Sequence, residues 1–226
     1  MKIIHLGGDY LRPKHLAIEL SKLKSHPHNS VELEQYATEG DLAAFWLLAV
    51  DQLDNLENKT VLDLGSGNGI LGLGTVFLGA KRVILVEADE EACLISKQNT
   101  EKINHKFSAQ IETIHAEIGL QKPDIPVQTD IVIMNPPWGF QTEKADRPLL
   151  EFAFSLGATA IYVLHSAKAK HVAAMAKDFG YEGEIVFETD FRLPPMYSHH
   201  SKKKSTTDAR CWRFHRTGDA KIIESE

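Results

Sequence analysis

The sequence predicts an α/β fold built on a mostly parallel sheet, and three observations carry that expectation. Short apolar runs alternate with helix-length segments between Lys59 and about Leu164, which is the pattern of βαβ units. The first run passes through Asp63 into a glycine-rich turn that opens a helix. A later run, Asp130 to Asn135, stops at two prolines and an aromatic ring.

Taken in order, Pro13 to Lys24 and Glu39 to Leu53 read as amphipathic helices divided by the polar break Ser25 to Ser30. They are expected to cap the sheet, so residues 1–58 form a helical cap that contributes to the ligand pocket and 59–226 form the core of one structural domain. Strands are expected at Thr60 to Leu64, Arg82 to Glu87, Ala109 to Ile114, Asp130 to Asn135 and Ala158 to Leu164, with helices beginning near Ile70 and Asp89 and another over Pro148 to Leu156. After His165 a helix runs to Phe179. A strand from Glu184 to Phe191, a polar loop from Pro194 to Thr207 and a last strand near Ala209 to Arg216 then predict an antiparallel hairpin closing the sheet.

Composition narrows the function. The 226 residues are 43% hydrophobic and 25% charged, enough for one core. With Lys+Arg 25 against Asp+Glu 31, the net charge of -6 excludes attachment to nucleic acid by bulk charge, so a polyanion must meet a local basic patch. Cys93 and Cys211 stand far apart in apolar stretches, which gives neither a metal cluster nor a disulfide framework and suits a reducing, intracellular compartment. Leu42 to Val50, the longest apolar stretch, falls well short of the roughly 20 residues that span a bilayer, and the N-terminus has no secretory pattern, so a soluble, cytoplasmic protein without a membrane partner is expected.

The turn VLDLGSGNGILGLG places Asp63 at a strand end, then Gly65, Gly67 and Gly69 where the backbone must bend and admit a ligand. Gly67, Gly69 and Gly72 also satisfy the dinucleotide pattern, with Glu87 about 20 residues further on to accept ribose hydroxyls. The spacing alone therefore leaves NAD and other nucleoside cofactors open. Asp63 favours S-adenosylmethionine, whose amino-acid end and sulfonium are cationic, over a diphosphate that an acid would repel. Asp89 is expected to cap the next helix rather than join the site.

Asn135-Pro136-Pro137-Trp138 follows a buried strand, so it should face the same cleft as Asp63 and Glu87. The tetrapeptide suits methylation of a planar exocyclic amine, whose nitrogen lone pair is delocalised and poorly nucleophilic. The Asn135 side-chain oxygen and the Pro136 carbonyl are acceptors for its two N–H bonds, Pro136 and Pro137 fix the turn, and Trp138 offers a face for a base. No metal is required.

These residues resemble the class I methyltransferases that act on amino groups. More closely they are similar to the methyltransferase-like protein five family, adenine-N6 methyltransferases of small-subunit ribosomal RNA. The resemblance runs from Leu33 to about Phe214 and includes LEQYAT, DLGSGNGIL, IMNPPWG, YVLHSAK and RLPPMY. It implies a Rossmann-like, mostly parallel seven-stranded sheet with an antiparallel last strand, flanked by helices. It also implies cofactor contacts from Gln35, Thr38, Gly65, Asn68 and Ile70, from Glu87 in place of the family's Asp, and from Glu117 with Ile118. Trp138 stands where the family has Phe. The resemblance further implies a partner, a small zinc-containing activator of the Trm112 type.

Lys202, Lys203 and Lys204 form the main basic cluster and are expected to meet RNA phosphates. The third strand, expected at the sheet edge, is a plausible partner surface. His165 is expected to make a structural hydrogen bond, and Trp46, Phe45 and Leu42 read as packing. A methyltransferase of protein glutamine, a non-catalytic binding module and an NAD oxidoreductase stay open as alternatives; the last leaves Asn135 to Trp138 unexplained.

Overall fold

The computed structural model describes residues 12–26, 38–120, 123, 125, 128–139, 143–192 and 206–216, and the backbone alone of 5–6 and 9–10; the side chains of 191, 192, 206 and 207 are excepted. Gln35 and Lys202, Lys203 and Lys204 lie outside the described residues.

A two-stranded hairpin, β1 (His5–Leu6) with β2 (Asp9–Tyr10), precedes the helices and was not expected from the sequence. Next come α1 (Pro13–Ser21), started by a proline at its first position, and α2 (Gly40–Asp54). The alternating core follows: β3 (Thr60–Leu64), α3 (Ile70–Val76), β4 (Arg82–Glu87), α4 (Glu90–Asn104), β5 (Gln110–His115), β6 (Ile131–Met134), α5 (Arg147–Ser155), β7 (Ala160–Ser166) and α6 (Lys170–Asp178). The long strands β8 (Glu182–Arg192) and β9 (Thr206–His215) end it.

The main sheet has seven strands in the order β5-β4-β3-β6-β7-β9-β8. β9 pairs antiparallel with both β7 and β8, whereas β3, β4, β5, β6 and β7 pair in parallel. Strands β3, β6 and β7 are apolar nearly throughout because helices cover both faces. β5 sits at the sheet edge, where the sequence reading put the third strand, and its exposed Gln110 and Glu112 share one face of it.

One core layer joins α1, α2 and α3 to the sheet through Leu16, Leu20, Trp46, Leu47, Val61, Leu73 and Leu85; the other joins α5 and α6 through Leu64, Val86, Met134, Phe152, Phe154, Val163 and Val172. The expected helical cap thus shares a core with the sheet. An ion pair braces the far side of it: Arg213 on β9 reaches both carboxylate oxygens of Asp54 at the end of α2, at 2.6 and 2.8 Å, and Tyr162 on β7 donates to Asp54 at 2.5 Å.

Candidate active site

Strand register builds the site. Leu64 of β3 pairs with Val86 of β4 and with Met134 of β6, so the next residues, Gly65, Glu87 and Asn135, emerge together at the carboxyl ends of adjacent strands. That crevice is where open α/β sheets bind ligands.

The chain after β3 turns back sharply. The N–H groups of Gly65 and Ser66 both donate to the Val86 carbonyl, at 2.9 and 3.0 Å, and Gly65, Gly67 and Gly69 adopt φ of 68°, 55° and 82°, a region costly for residues with a Cβ. Gly72, one turn into α3, packs so closely that a Cβ there would run into Leu85 and Asp63. Its N–H donates to Asp63 Oδ2 at 2.7 Å.

Asp63 is 1% exposed, and its Oδ1 is among the buried polar atoms without a partner in the described residues. Burial pushes its carboxyl up to about 7; the Gly72 N–H opposes the rise and the nearby Glu87 charge adds to it. Ser66 Oγ is likewise buried and unpartnered. Glu87 faces the same turn, 8% exposed, and gathers three backbone donors: Gly67 N–H at 2.7 Å on one oxygen, and Ala88 and Asp89 N–H at 2.9 Å on the other. Oε1 is filled by two of these donors while Oε2 takes only one, so Glu87 both shapes the turn and keeps acceptor capacity on Oε2 at the cleft. Asp89 caps α4 by accepting from Glu91 and Ala92, the role the sequence assigned it.

Asn68 takes two local partners. Its Oδ1 accepts from Ile70 N–H at 3.3 Å, and its Nδ2 donates to the Lys24 carbonyl at 2.9 Å. Asn99 on α4 completes a clamp by donating to the carbonyls of Lys24 and Asn68 and accepting from Lys24 N–H. This holds the segment after α1 over the glycine turn, where His26 lies against Gly67; a Cβ on Gly67 would stand 3.1 Å from His26 Cδ2. Sequence reasoning missed Asn99 and His26. The available signal was a polar residue, Asn99, on the buried stripe of α4 with Ala92, Cys93, Ser96 and Ile103.

Asn135 and its neighbours form the other half. Asn135 Nδ2 donates to Thr38 Oγ1 at 3.3 Å, and its Oδ1 accepts the Trp138 indole N–H at 3.2 Å. Trp138 is 6% exposed and stacks on His165, with centroids 5.8 Å apart and planes 19° apart. Thr38, named as a cofactor residue, is thus brought against Asn135. Ile70 opens α3 and is buried in the first core layer. Glu117 is exposed, and Ile118 packs on the second core layer beside Pro148 and Phe152, which line the same groove. Pro136 is buried and Pro137 half-buried, as a rigid turn requires.

A family model described as conserved hypothetical protein 95 matches residues 42–181. The chain belongs to this family. Its relatives include the MJ0284 protein of Methanocaldococcus jannaschii, 33% identical over 214 residues that cover 92% of this chain and 96% of that one. The rRNA N(6)-adenosine-methyltransferase METTL5 of Danio rerio is 29% identical over 207 residues, covering 90% of this chain and 99% of that protein. Among solved structures, that of PH1948 from Pyrococcus horikoshii, described as a candidate RNA methyltransferase, superposes with a TM-score of 0.78 at 34% identity, covering 91% of this chain and 98% of that one. The chain is METTL5-like, and its sheet is that of the class I methyltransferases.

Proposed function

We propose that the protein transfers a methyl group from S-adenosylmethionine to the exocyclic N6 amine of an adenine in RNA, with small-subunit ribosomal RNA as the substrate. The observation that carries this reading is the amide of Asn135, fixed at a strand end between Thr38 and Trp138 and level with the glycine turn. The METTL5 relatives that share most of the chain carry the same activity in their names.

The residues present fit the cofactor. The orphaned Asp63 Oδ1 and Ser66 Oγ are polar atoms at the turn that call for a partner, and beside Gly65 there is open space, with no atom within 4 Å of where a Cβ would stand. Asp63 and the turn would hold the cationic amino-acid end and Glu87 the ribose. When bound, S-adenosylmethionine supplies an electrophilic methyl on a sulfonium.

The chain's own work is orientation. An amide oxygen can accept more than one hydrogen bond, so Asn135 Oδ1, which takes the Trp138 N–H, is also the acceptor assigned to an amine N–H. The Pro136 carbonyl is the second acceptor. Two acceptors draw the amine nitrogen away from its planar, delocalised form, so its lone pair becomes available for attack. Methyl transfer would break the carbon–sulfur bond, leave a neutral thioether and put the positive charge on the amine nitrogen, whose N–H is then acidic enough to go to solvent, so no general base is assigned. Trp138, buried against His165, serves to hold the Asn135 amide rather than to offer an open face to a base, and Lys202, Lys203 and Lys204 are assigned the phosphate contacts.

The β5 edge is assigned to a Trm112-type partner, because a sheet edge carries unpaired backbone groups that a second chain can complete. Co-expression should raise solubility and cofactor affinity; a lone chain that is stable and fully active would remove the assignment. We assign the reaction to the inside of the cell, to the cytoplasm, or to the nucleus if the chain is eukaryotic, because an RNA substrate and S-adenosylmethionine would be met there. Among the described residues no helix is long and apolar enough to cross a membrane.

The deciding experiment is methyl transfer from labelled S-adenosylmethionine to small-subunit RNA with the partner present, read by nucleoside mass spectrometry. N6-methyladenosine that disappears with Asn135→Ala is the expected result. Label in protein glutamine, or no transfer at all, would overturn the assignment.

A further inference from the structure

Beneath Trp138 lies a polar assembly that the transfer itself does not use. Asp146, at the start of α5, is 2% exposed, and His165, near the end of β7, is 1% exposed. Asp146 Oδ2 meets His165 Nε2 at 3.0 Å and His171 Nε2, from the half-exposed start of α6, at 2.5 Å.

The tautomer of His165 follows from its other nitrogen. Nδ1 accepts the Ser166 backbone N–H at 2.8 Å, so the ring proton of the neutral imidazole sits on Nε2 and donates to Asp146. Burial raises the Asp146 carboxyl, but hydrogen bonds from His165 and His171 outweigh it and hold the group below its usual range. The aspartate is therefore an ionised anchor.

Two histidines and an aspartate also suggest a metal. In a tetrahedral zinc site with bonds near 2.0–2.1 Å, however, neighbouring ligand atoms stand roughly 3.3 Å apart. Here the carboxylate oxygen is 3.0 and 2.5 Å from the two nitrogens, hydrogen-bond spacing without room for an ion between them.

The imidazole so fixed is the shelf for Trp138. The two rings stack, and the same indole donates to the Asn135 amide. We infer that Asp146 and His165 are positioning residues for methyl transfer: they set the Trp138 ring, and through its N–H the Asn135 amide, in the orientation that receives the adenine. This rests on the proposed reaction and adds to it the residues that act through Trp138. Two χ angles leave an indole free to swing about its Cβ, and the His165 stack together with the Asn135 bond restricts both. Pre-organisation of this kind matters because small misplacements of a reacting group are costly in rate.

The test compares variants that remove the shelf with variants that retain it, in the full chain with its partner. His165→Ala and Asp146→Ala should lower kcat for RNA on the order of 10- to 100-fold, while the dissociation constant of S-adenosylmethionine stays within about twofold. His165→Phe, which keeps a flat ring, and Asp146→Asn, which keeps an acceptor, should recover most of that loss. Where His165→Ala does not fold, His165→Gln, which retains a donor for Asp146 but no ring, replaces it and should behave the same way.

A readout independent of activity is the Trp138 indole N–H resonance, assigned by its loss in Trp138→Phe. It should shift in His165→Gln and stay close to wild type in Asp146→Asn. Normal RNA kinetics in the ringless variants, or cofactor affinity falling in step with kcat, would overturn the inference. If the wild type methylates no RNA adenine, the proposed reaction fails, and the indole resonance still decides whether His165 sets Trp138.

Discussion

Asp63→Asn separates the cost of burying an acid from the use made of it. The Asp63 carboxyl rises from 3.8 to about 7 on folding, so between those values the folded protein holds a proton that the unfolded chain has released. Stability is therefore undiminished below the lower value, declines as pH rises through the window and is flat above it. Integrated, the cost is about 4 kcal/mol at pH 8 and about 2 kcal/mol at pH 5. Asn has the same shape, and its oxygen still accepts the Gly72 N–H. Its NH2 group takes the place of the unpartnered Oδ1, at a pH-independent cost of about 1–3 kcal/mol.

The diagnostic quantity is therefore the change with pH, not the offset. For a chain of this size about 2.5 kcal/mol corresponds to roughly 5–10 °C. The melting temperature of Asp63→Asn relative to wild type should rise by that amount from pH 5 to pH 8, measured without cofactor by scanning calorimetry. The same variant should bind S-adenosylmethionine about 10- to 100-fold more weakly, the worth of one charge-assisted contact. A melting difference that stays flat over this pH range would refute the claim that Asp63 is a desolvated acid. Stabilisation with unchanged affinity would refute its role toward the cofactor.

Other outcomes follow from single contacts. Arg213→Ala strands the largely buried Asp54 carboxylate, whose side chain is 11% exposed, and should cost about 2–4 kcal/mol in a urea melt, discounted from a fully buried pair. Gly72→Ala forces a Cβ into Leu85 and Asp63 and should cost about 1–3 kcal/mol, measured the same way. Trp138→Phe keeps a stacking ring but loses the N–H to Asn135, so kcat should fall about 3- to 10-fold with RNA affinity retained, in single-turnover assays. Replacing Lys202, Lys203 and Lys204 by Ala should reduce the slope of log affinity against log salt by about 2 for single-stranded RNA; an unchanged slope removes them from the interface.

The parts of the fold that depend on local pattern were legible. Continuous apolar runs such as Ile131 to Met134 declare buried parallel strands, and Asp89 three residues before Ala92 declares a helix cap. The edge position of β5 was legible only through the fold class, since strand order is not a local property. The β1–β2 hairpin was not, because two-residue strands carry no periodicity. At the candidate site, Asp63, Glu87 and Asn135 could be singled out because each stands at or just past the carboxyl end of an apolar run. Asn99, His26 and Asp146 were not, because each acts at a distance in sequence: Asn99 bonds Lys24, 75 residues away, and Asp146 bonds His165, 19 away.

The choice between a cationic cofactor and a diphosphate rests on Asp63, and burial changes that argument. With its carboxyl near 7, Asp63 is not a fixed negative charge at neutral pH, so simple repulsion of a diphosphate is weaker than the sequence suggests. In the proposed site the discrimination would instead arise on binding. A cation arriving at the orphaned Oδ1 lowers the carboxyl's pKa, ionises it, and gains an attraction sharpened by the low local dielectric. A diphosphate would push the same carboxyl further up and leave it neutral, gaining no charge attraction while still facing Glu87. The burial that makes Asp63 costly in the free protein is thus what makes its response to ligand charge one-sided.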